Sequence, residues 1–293
     1  MGDVTANDLE RKPAFVLIHG SWHGAWCFSK LVPYLLKAGH VVVARDLPGH
    51  GGLAKYPRSF GQRPLDAAAF AIEPSPLAGV TLADYVSDTL ETVDALLRAG
   101  SGPVILLGHS MGGIPITAVA EAAPEKIRKL VYLTAFMPAS GVPAIAYSRT
   151  PEAEGARVGA AMKGDAARVG ALRLDSRSTD PNYVANLKQA FAGDVSEAEW
   201  ELVQNLLSPD DPAQPFVTPT ETTRSRWGKI PRAYIKCSGD FAIRPLTQAK
   251  FIDAADQFTP DNKTEVYELE TSHSPFLSQP EKLANVLVEL ASR

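Results

Sequence analysis

Residues 104–113 read VILLGHSMGG. The run from Val104 to Leu107 is continuously apolar, which suits a strand buried on both faces. Beyond the glycines, Thr117, Ala118, Val119 and Ala120 belong to a stretch that can be helical as far as Pro124. Ser110 therefore sits on a tight strand-to-helix turn. Such a turn strains the backbone at the serine, and only hydrogen at positions 108 and 112 lets neighbouring segments approach closely enough. The hydroxyl would be held out above the sheet edge. A Gly-rich junction can also carry a serine by chance, so the reading depends on whether the chain supplies partners for it.

The length, 293 residues, suits one large α/β domain or two small ones and is enough to bury a core. With 45% apolar and 21% charged residues the composition is ordinary for a globular protein. No apolar run approaches the roughly 18 residues needed to span a membrane. A net charge of -4 offers no electrostatic footprint for nucleic acid or an anionic membrane surface. The start, MGDVTANDLERKPA, lacks the apolar stretch of a secretory signal, so a cytoplasmic location is expected. Cys27 and Cys237 are too few for a disulfide framework or a zinc site and are expected to pack as small hydrophobes. The partners expected are a small-molecule substrate and, at most, a second copy of the chain as a homodimer.

Apolar runs alternate with helical patterns. Strands are expected at 14–20, 40–49, 104–108, 129–137, 231–240 and 263–273. Helices are expected over 28–39, 82–100, after Ser110, near 245–256 and from about 279 to 292. Ser278, Pro280 and Glu281 together read as the start signal of the last helix. This alternation implies a mostly parallel sheet wrapped by helices. Two stretches break it. Residues 51–80, rich in proline and glycine, read as an ordered insertion on the surface or over a pocket. Residues 138–228 read as a largely helical cap over the strand ends, leaving 1–137 and 229–293 as the core. Within the cap, ARVGA occurs at 156–160 and again at 167–171 around a turn-like KGD, a pattern compatible with a small hairpin.

A hydroxyl is a poor nucleophile at neutral pH; it needs a base, and the base needs a third group to fix its tautomer. Of the six histidines, only His273 follows a late strand and precedes the final helix. Asp240 ends the strand YIKCSGD, and the order Ser110, Asp240, His273 is that of an α/β-hydrolase triad. Competing readings give Asp240 only a helix-capping role, or assign the acid to Glu268 or Glu270, which lie in the strand leading to His273. After the preceding strand, Ala135, Phe136, Met137 and Pro138 offer no acid. The HGSWHGAW loop (19–26) follows the first strong strand and can aim a backbone N–H at the serine. The expected oxyanion donors are the N–H groups of Ser21 and Met111. His19 and His23 lack companions for a metal set and read better as braces of that loop, so no metal and no cofactor are expected. Trp22 is expected in the pocket wall and Trp26 in the core.

FVLIHGSWHGAW, GHSMGG, RAYIKCSGDFAI and the His273 loop together resemble the α/β-hydrolase superfamily, and within it the plant hydroxynitrile lyase and methylesterase branch with its bacterial relatives. The resemblance runs in order from about residue 14 to the C-terminus and includes EAEWELVQNLLSPDDP in the cap. The insertion at 51–80 departs from the plant pattern. The resemblance implies an esterase more than a lyase. Lyase members carry threonine after the first histidine and lysine after the catalytic one, where this chain has Gly20 and Ser274. Gly20 is then expected to leave room beside Ser110 for a bulkier acyl group. Substrate contacts are expected from Gly20, Trp22, His109, Phe136, Met137, Tyr147 and Trp200, although aromatic residues of a cap are more often its core. Hydrolysis of an amide, carbamate, lactone or carbon-carbon bond, a lyase reaction, or a ligand receptor on the same scaffold are the alternatives.

Overall fold

Parallel strands require crossover connections, and this chain builds them from helices. In the computed structural model, which describes residues 12–293, β1 (Phe15–Ile18) leads through α1 (Val32–Lys37) to β2 (Val42–Arg45). Then follow α2 (Ala67–Ile72), α3 (Leu82–Arg98), β3 (Val104–His109), α4 (Gly113–Ala122) and β4 (Ile127–Leu133). The next hundred residues hold α5 (Val158–Ala161), α6 (Ala166–Val169), β5 (Ala171–Arg173), α7 (Pro181–Phe191), α8 (Glu197–Leu206), β6 (Asp210–Pro212) and α9 (Gln214–Val217). The chain closes with β7 (Arg232–Cys237), α10 (Pro245–Phe258), β8 (Glu265–Leu269), α11 (Pro275–Ser278) and α12 (Pro280–Ser292). The reading of the chain's start falls mainly on residues 1–11, outside the described residues. Among the described residues no helix is long and apolar enough to cross a membrane.

The sheet has six strands in the order β2-β1-β3-β4-β7-β8, every neighbouring pair parallel. Successive residues of a strand point to opposite faces, and here both faces are buried. Phe15, Leu17, Ile105 and Leu107 join one apolar cluster; Val16, Ile18, Leu106 and Leu130 join the other. This explains why β3 reads as an unbroken apolar run rather than an alternating one. After β1 the chain crosses to β2 on one side, then returns past β1 to β3. The strand order therefore reverses between β1 and β3, and their carboxyl ends flank the crevice where open α/β sheets place ligands. Those ends are His19 to Ser21 and Ser110.

Residues 51–80 contain α2 and bury Phe60, Phe70 and Leu77. They are tied to the segment after β4. Arg173 forks onto Asp210 at 2.7 and 2.8 Å and also donates to the carbonyls of Phe70 and Glu73, while the Ser75 N–H reaches the Val169 carbonyl at 2.8 Å. A buried His50–Asp211 pair at 2.6 Å adds a second tie from the loop after β2.

Two local expectations are corrected. The ARVGA repeat does not form a hairpin: its copies lie largely in the short helices α5 and α6, and β5, which begins at the end of the second copy, pairs antiparallel with β6 instead. Gly170, left-handed at φ +79°, ends α6 and turns the chain into β5 before the two copies can meet. Ser278 does not cap the last helix either. Pro275 starts a short helix whose last residue is Ser278, so Gln279 takes the N-cap position and the Ser278 hydroxyl is buried without a partner among the described residues.

Candidate active site

Ser110 leaves β3 with φ +54°, a left-handed conformation that L-residues with a Cβ adopt only when the surroundings impose it. Its carbonyl accepts the Phe136 N–H at 2.9 Å, which holds the turn from the neighbouring strand end. A Cβ on Gly108 would lie 2.4 Å from the Gly112 carbonyl oxygen, and one on Gly112 would lie 2.6 Å from that of Ile18. Both glycines are therefore required by backbone approach, as the spacing predicts.

The loop after β1 makes a turn closed by the His23 N–H on the Gly20 carbonyl at 3.3 Å, with Trp22 at φ +59°. His19 and His23 brace it. The Leu47 N–H donates to His19 Nε2 at 3.1 Å, so Nδ1 carries the proton given to the Gly20 carbonyl at 2.8 Å. His23 Nδ1 donates to the Ser21 carbonyl at 2.8 Å. Among the described residues the Ser21 N–H has no protein acceptor. Met111 follows Ser110 in the first turn leading into α4, where N–H groups have no acceptor within the helix.

Asp240 is fully buried just after β7. Its Oδ1 accepts the N–H groups of Ala242 and Ile243 at 2.6 and 2.9 Å; its Oδ2 accepts His273 Nδ1–H at 2.6 Å and the Thr134 hydroxyl. The carboxylate thus shapes the turn before α10 with one oxygen and orients an imidazole with the other, so the two readings of Asp240 coexist. Glu268 pairs with Lys236 at 2.9 Å, on the sheet edge. Thr134, at the end of β4 with φ +36°, is a residue that sequence reasoning missed. Its signal was position: a hydroxyl at the carboxyl end of the strand beside β7.

Ser110 and Ser21 line a cavity of about 320 Å³ walled by Trp22, Phe136, Tyr147, Phe191, Phe216 and Ile243. Three expected contacts thus lie in the wall: Trp22, Phe136 and Tyr147. Four do not. A Cβ on Gly20 would meet Ser110 Cβ at 2.7 Å and His109 Nδ1 at 2.9 Å, so Gly20 makes room for the serine turn and not for an acyl group. His109 lies behind the serine, donating from Nε2 to the His273 carbonyl at 2.9 Å, with its ring 4.6 Å from that of His273. Met137, four residues beyond the end of β4, packs in the apolar cluster that also holds Met111 and Ile114, and Trp200 packs in the other apolar cluster through the buried face of α8. Trp227 donates to the Tyr132 hydroxyl in the core at 2.9 Å. Trp26 is half-buried and stacks on His23. Phe191, Phe216 and Arg244 enter the wall unannounced by any sequence signal. Among the described residues no cluster could hold a metal ion.

Burial drives the imidazoles of His19 and His109 well below the ordinary histidine range and brings that of His23 down to about 4. The unfolded chain takes up the proton near 6.5. The folded state binds protons less well, so the stability these groups contribute is complete above about pH 6.5 and is lost as the pH falls. For His23 the loss spans pH 6.5 to about 4 and amounts to roughly 3 kcal/mol. Urea midpoints measured from pH 8 to pH 4 are expected to drop below pH 6.5; a flat profile would contradict the neutral, buried state of these rings.

Three comparisons with known proteins point to one family. Residues 15–286 match the model of the Alpha/beta hydrolase family. The chain is 30% identical to an alpha-hydroxynitrile lyase of Arabidopsis thaliana, covering 97% of this chain and 99% of that one, and 32% identical to Methylesterase 4 of the same plant over 98% and 99%. Among solved structures, a pyrethroid hydrolase from Sphingobium faniae superimposes with a TM-score of 0.74 at 27% identity, covering 96% and 97% of the two chains. With the six-stranded parallel sheet, the serine turn at its switch point and a family match spanning almost every described element, the chain belongs to the alpha/beta hydrolase family.

Proposed function

We propose that this protein is a cofactor-free carboxylic ester hydrolase acting through Ser110, His273 and Asp240, with residues 138–228 as the cap that selects a small-to-medium apolar or aromatic substrate. The observation that carries this reading is the fully buried Asp240–His273 pair, 2.6 Å apart, on the same sheet edge as the strained Ser110 turn and its apolar cavity. The methylesterases, the pyrethroid hydrolase and a carbendazim hydrolyzing esterase of Nocardioides among the relatives support an ester as the bond cleaved.

Because Asp240 accepts the Nδ1 proton, Nε2 of a neutral His273 is free to take the proton of Ser110. The serine oxygen bonds to the ester carbonyl carbon, and the resulting oxyanion is received by the N–H groups of Ser21 and Met111. As the C–O bond to the alcohol breaks, the imidazolium returns its proton to the leaving oxygen. Water, deprotonated by the same imidazole, then releases the acid from Ser110. Asp240 stabilises the charge that His273 gains in each half. The likeness to an alpha-hydroxynitrile lyase supports a second reading, in which His273 works as a base without an acyl-enzyme.

The two readings part at the covalent intermediate. With 4-nitrophenyl esters of graded acyl length, a burst of nitrophenolate is expected in rapid-mixing kinetics, and an alkyl fluorophosphonate is expected to add once to the intact mass. Folded protein that shows neither burst nor adduct would remove the hydrolase reading.

A further inference from the structure

Helix α10 begins in the wall of the Ser110 cavity, and it brings there a charge that the protein itself leaves unmatched. Arg244, the N-cap residue of α10, is the single charged side chain lining that cavity among the described residues. Its Nη1 donates to the Asp240 carbonyl at 2.7 Å, and its guanidinium lies 4.3 Å from the centre of the Phe241 ring. Among the described residues no carboxylate lies within ion-pair distance of it, although Lys250 on the same helix pairs with Glu152 at 2.8 Å. A guanidinium presents five N–H donors, so most of this one is unspent. Arg157, whose Cζ lies 5.4 Å from the same Phe241 ring, also has no carboxylate partner among the described residues.

A second observation comes from Thr247, one turn further along the helix. It is 3% exposed, it lines the cavity, and among the described residues its hydroxyl has no hydrogen-bond partner. The N–H groups of the first turn, Leu246 and Thr247 among them, lack acceptors within the helix and carry the positive end of a 14-residue dipole. An orphaned buried hydroxyl, free first-turn N–H groups and an unpaired guanidinium are together the donor set that holds a carboxylate. The remaining wall is apolar or only weakly polar.

Resting on the hydrolase reading above, we propose that the preferred substrate is an ester carrying a second, ionised carboxylate, received by Arg244 with Thr247 at the start of α10. Arg244 is then a specificity-determining residue, and the apolar wall accommodates the body of the molecule between its two ends.

Binding and turnover test this separately. In Ser110→Ala protein, calorimetric titration compares mono-4-nitrophenyl adipate with neutral 4-nitrophenyl hexanoate, which places the charge on the acyl side. A second pair, 4-acetoxybenzoate against 4-acetoxybenzamide, places it on the alcohol side. In at least one pair the anion is expected to bind about 10- to 100-fold more tightly, the range of a charge-assisted bond. Adding Arg244→Met is expected to abolish that ratio, and Arg244→Lys to retain part of it. Equal affinities in both pairs, or a ratio that survives Arg244→Met, overturns the proposal. A merely structural role at the Asp240 carbonyl would weaken both members of a pair together and leave the ratio intact, which also overturns it. Wild-type turnover of the same esters reports on the hydrolase reading alone: a binding ratio without hydrolysis of any ester would sink that reading and leave the carboxylate subsite standing.

Discussion

Ester turnover in the Ser110→Ala protein is expected to fall by about six orders of magnitude, the loss seen when the nucleophile of a serine hydrolase is removed. The substitution deletes one oxygen and keeps the Cβ. The turn should therefore survive: alanine meets the same left-handed φ of +54° that serine does, and the glycines at 108 and 112 still admit the Gly112 and Ile18 carbonyls. Stability is expected to change by less than about 1 kcal/mol, because the substitution removes a single hydroxyl oxygen at the cavity wall and no packed apolar atom. Residual activity of roughly a thousandfold over water would come from the cavity and the two oxyanion donors. Steady-state kinetics at saturating 4-nitrophenyl ester, with circular dichroism and a urea midpoint alongside, reads both parts. Turnover within tenfold of wild type would place the nucleophile elsewhere.

Local chemistry is what the sequence expresses well. The serine turn is legible because its requirements are met within ten residues: an apolar strand, hydrogen at fixed offsets, a helix after it. Asp240 and His273 are legible because each ends a recognisable strand, and in a parallel sheet all such ends meet at one edge. What escapes is whatever depends on which strand ends become neighbours. Thr134 touches Asp240 because β4 and β7 are paired, although nearly a hundred residues separate them, and a threonine after a strand has no signature of its own. Gly20 fails for the same reason. The glycine is visible, but the Ser110 Cβ and His109 ring that fill its empty side belong to another strand. His109 is adjacent to the serine in sequence yet faces away from the cavity: as the last residue of β3 it takes the same face as Leu107 and packs against Phe276. The segment after β4 is the least legible: its short elements take their places through Arg173, Asp210, His50 and Asp211, and ion pairs formed across 37 and 161 residues leave no periodic trace.

Asp240→Asn should cost about four orders of magnitude in kcat, and the direction of the amide explains why. In the native site Oδ1 accepts two backbone N–H groups, from Ala242 and Ile243, while Oδ2 faces His273 Nδ1 and the Thr134 hydroxyl. An asparagine must place its carbonyl oxygen where the two N–H groups point, because an NH2 there would leave both buried donors unpaired at about 1–3 kcal/mol each. Its NH2 is then forced toward His273. A donor in that position requires Nδ1 to accept, so the proton moves to Nε2, and the imidazole has no lone pair left for the Ser110 proton. Thr134 can turn its hydroxyl and does not reverse this choice. The expected variant is folded, binds substrate with little change in KM, and recovers activity as hydroxide replaces the missing base at high pH. If Asp240 served only to shape the turn before α10, asparagine would satisfy the same two N–H groups and kcat would stay within a few fold. The pH profile of kcat for the Asp240→Asn protein, measured from pH 6 to pH 10, separates these two outcomes.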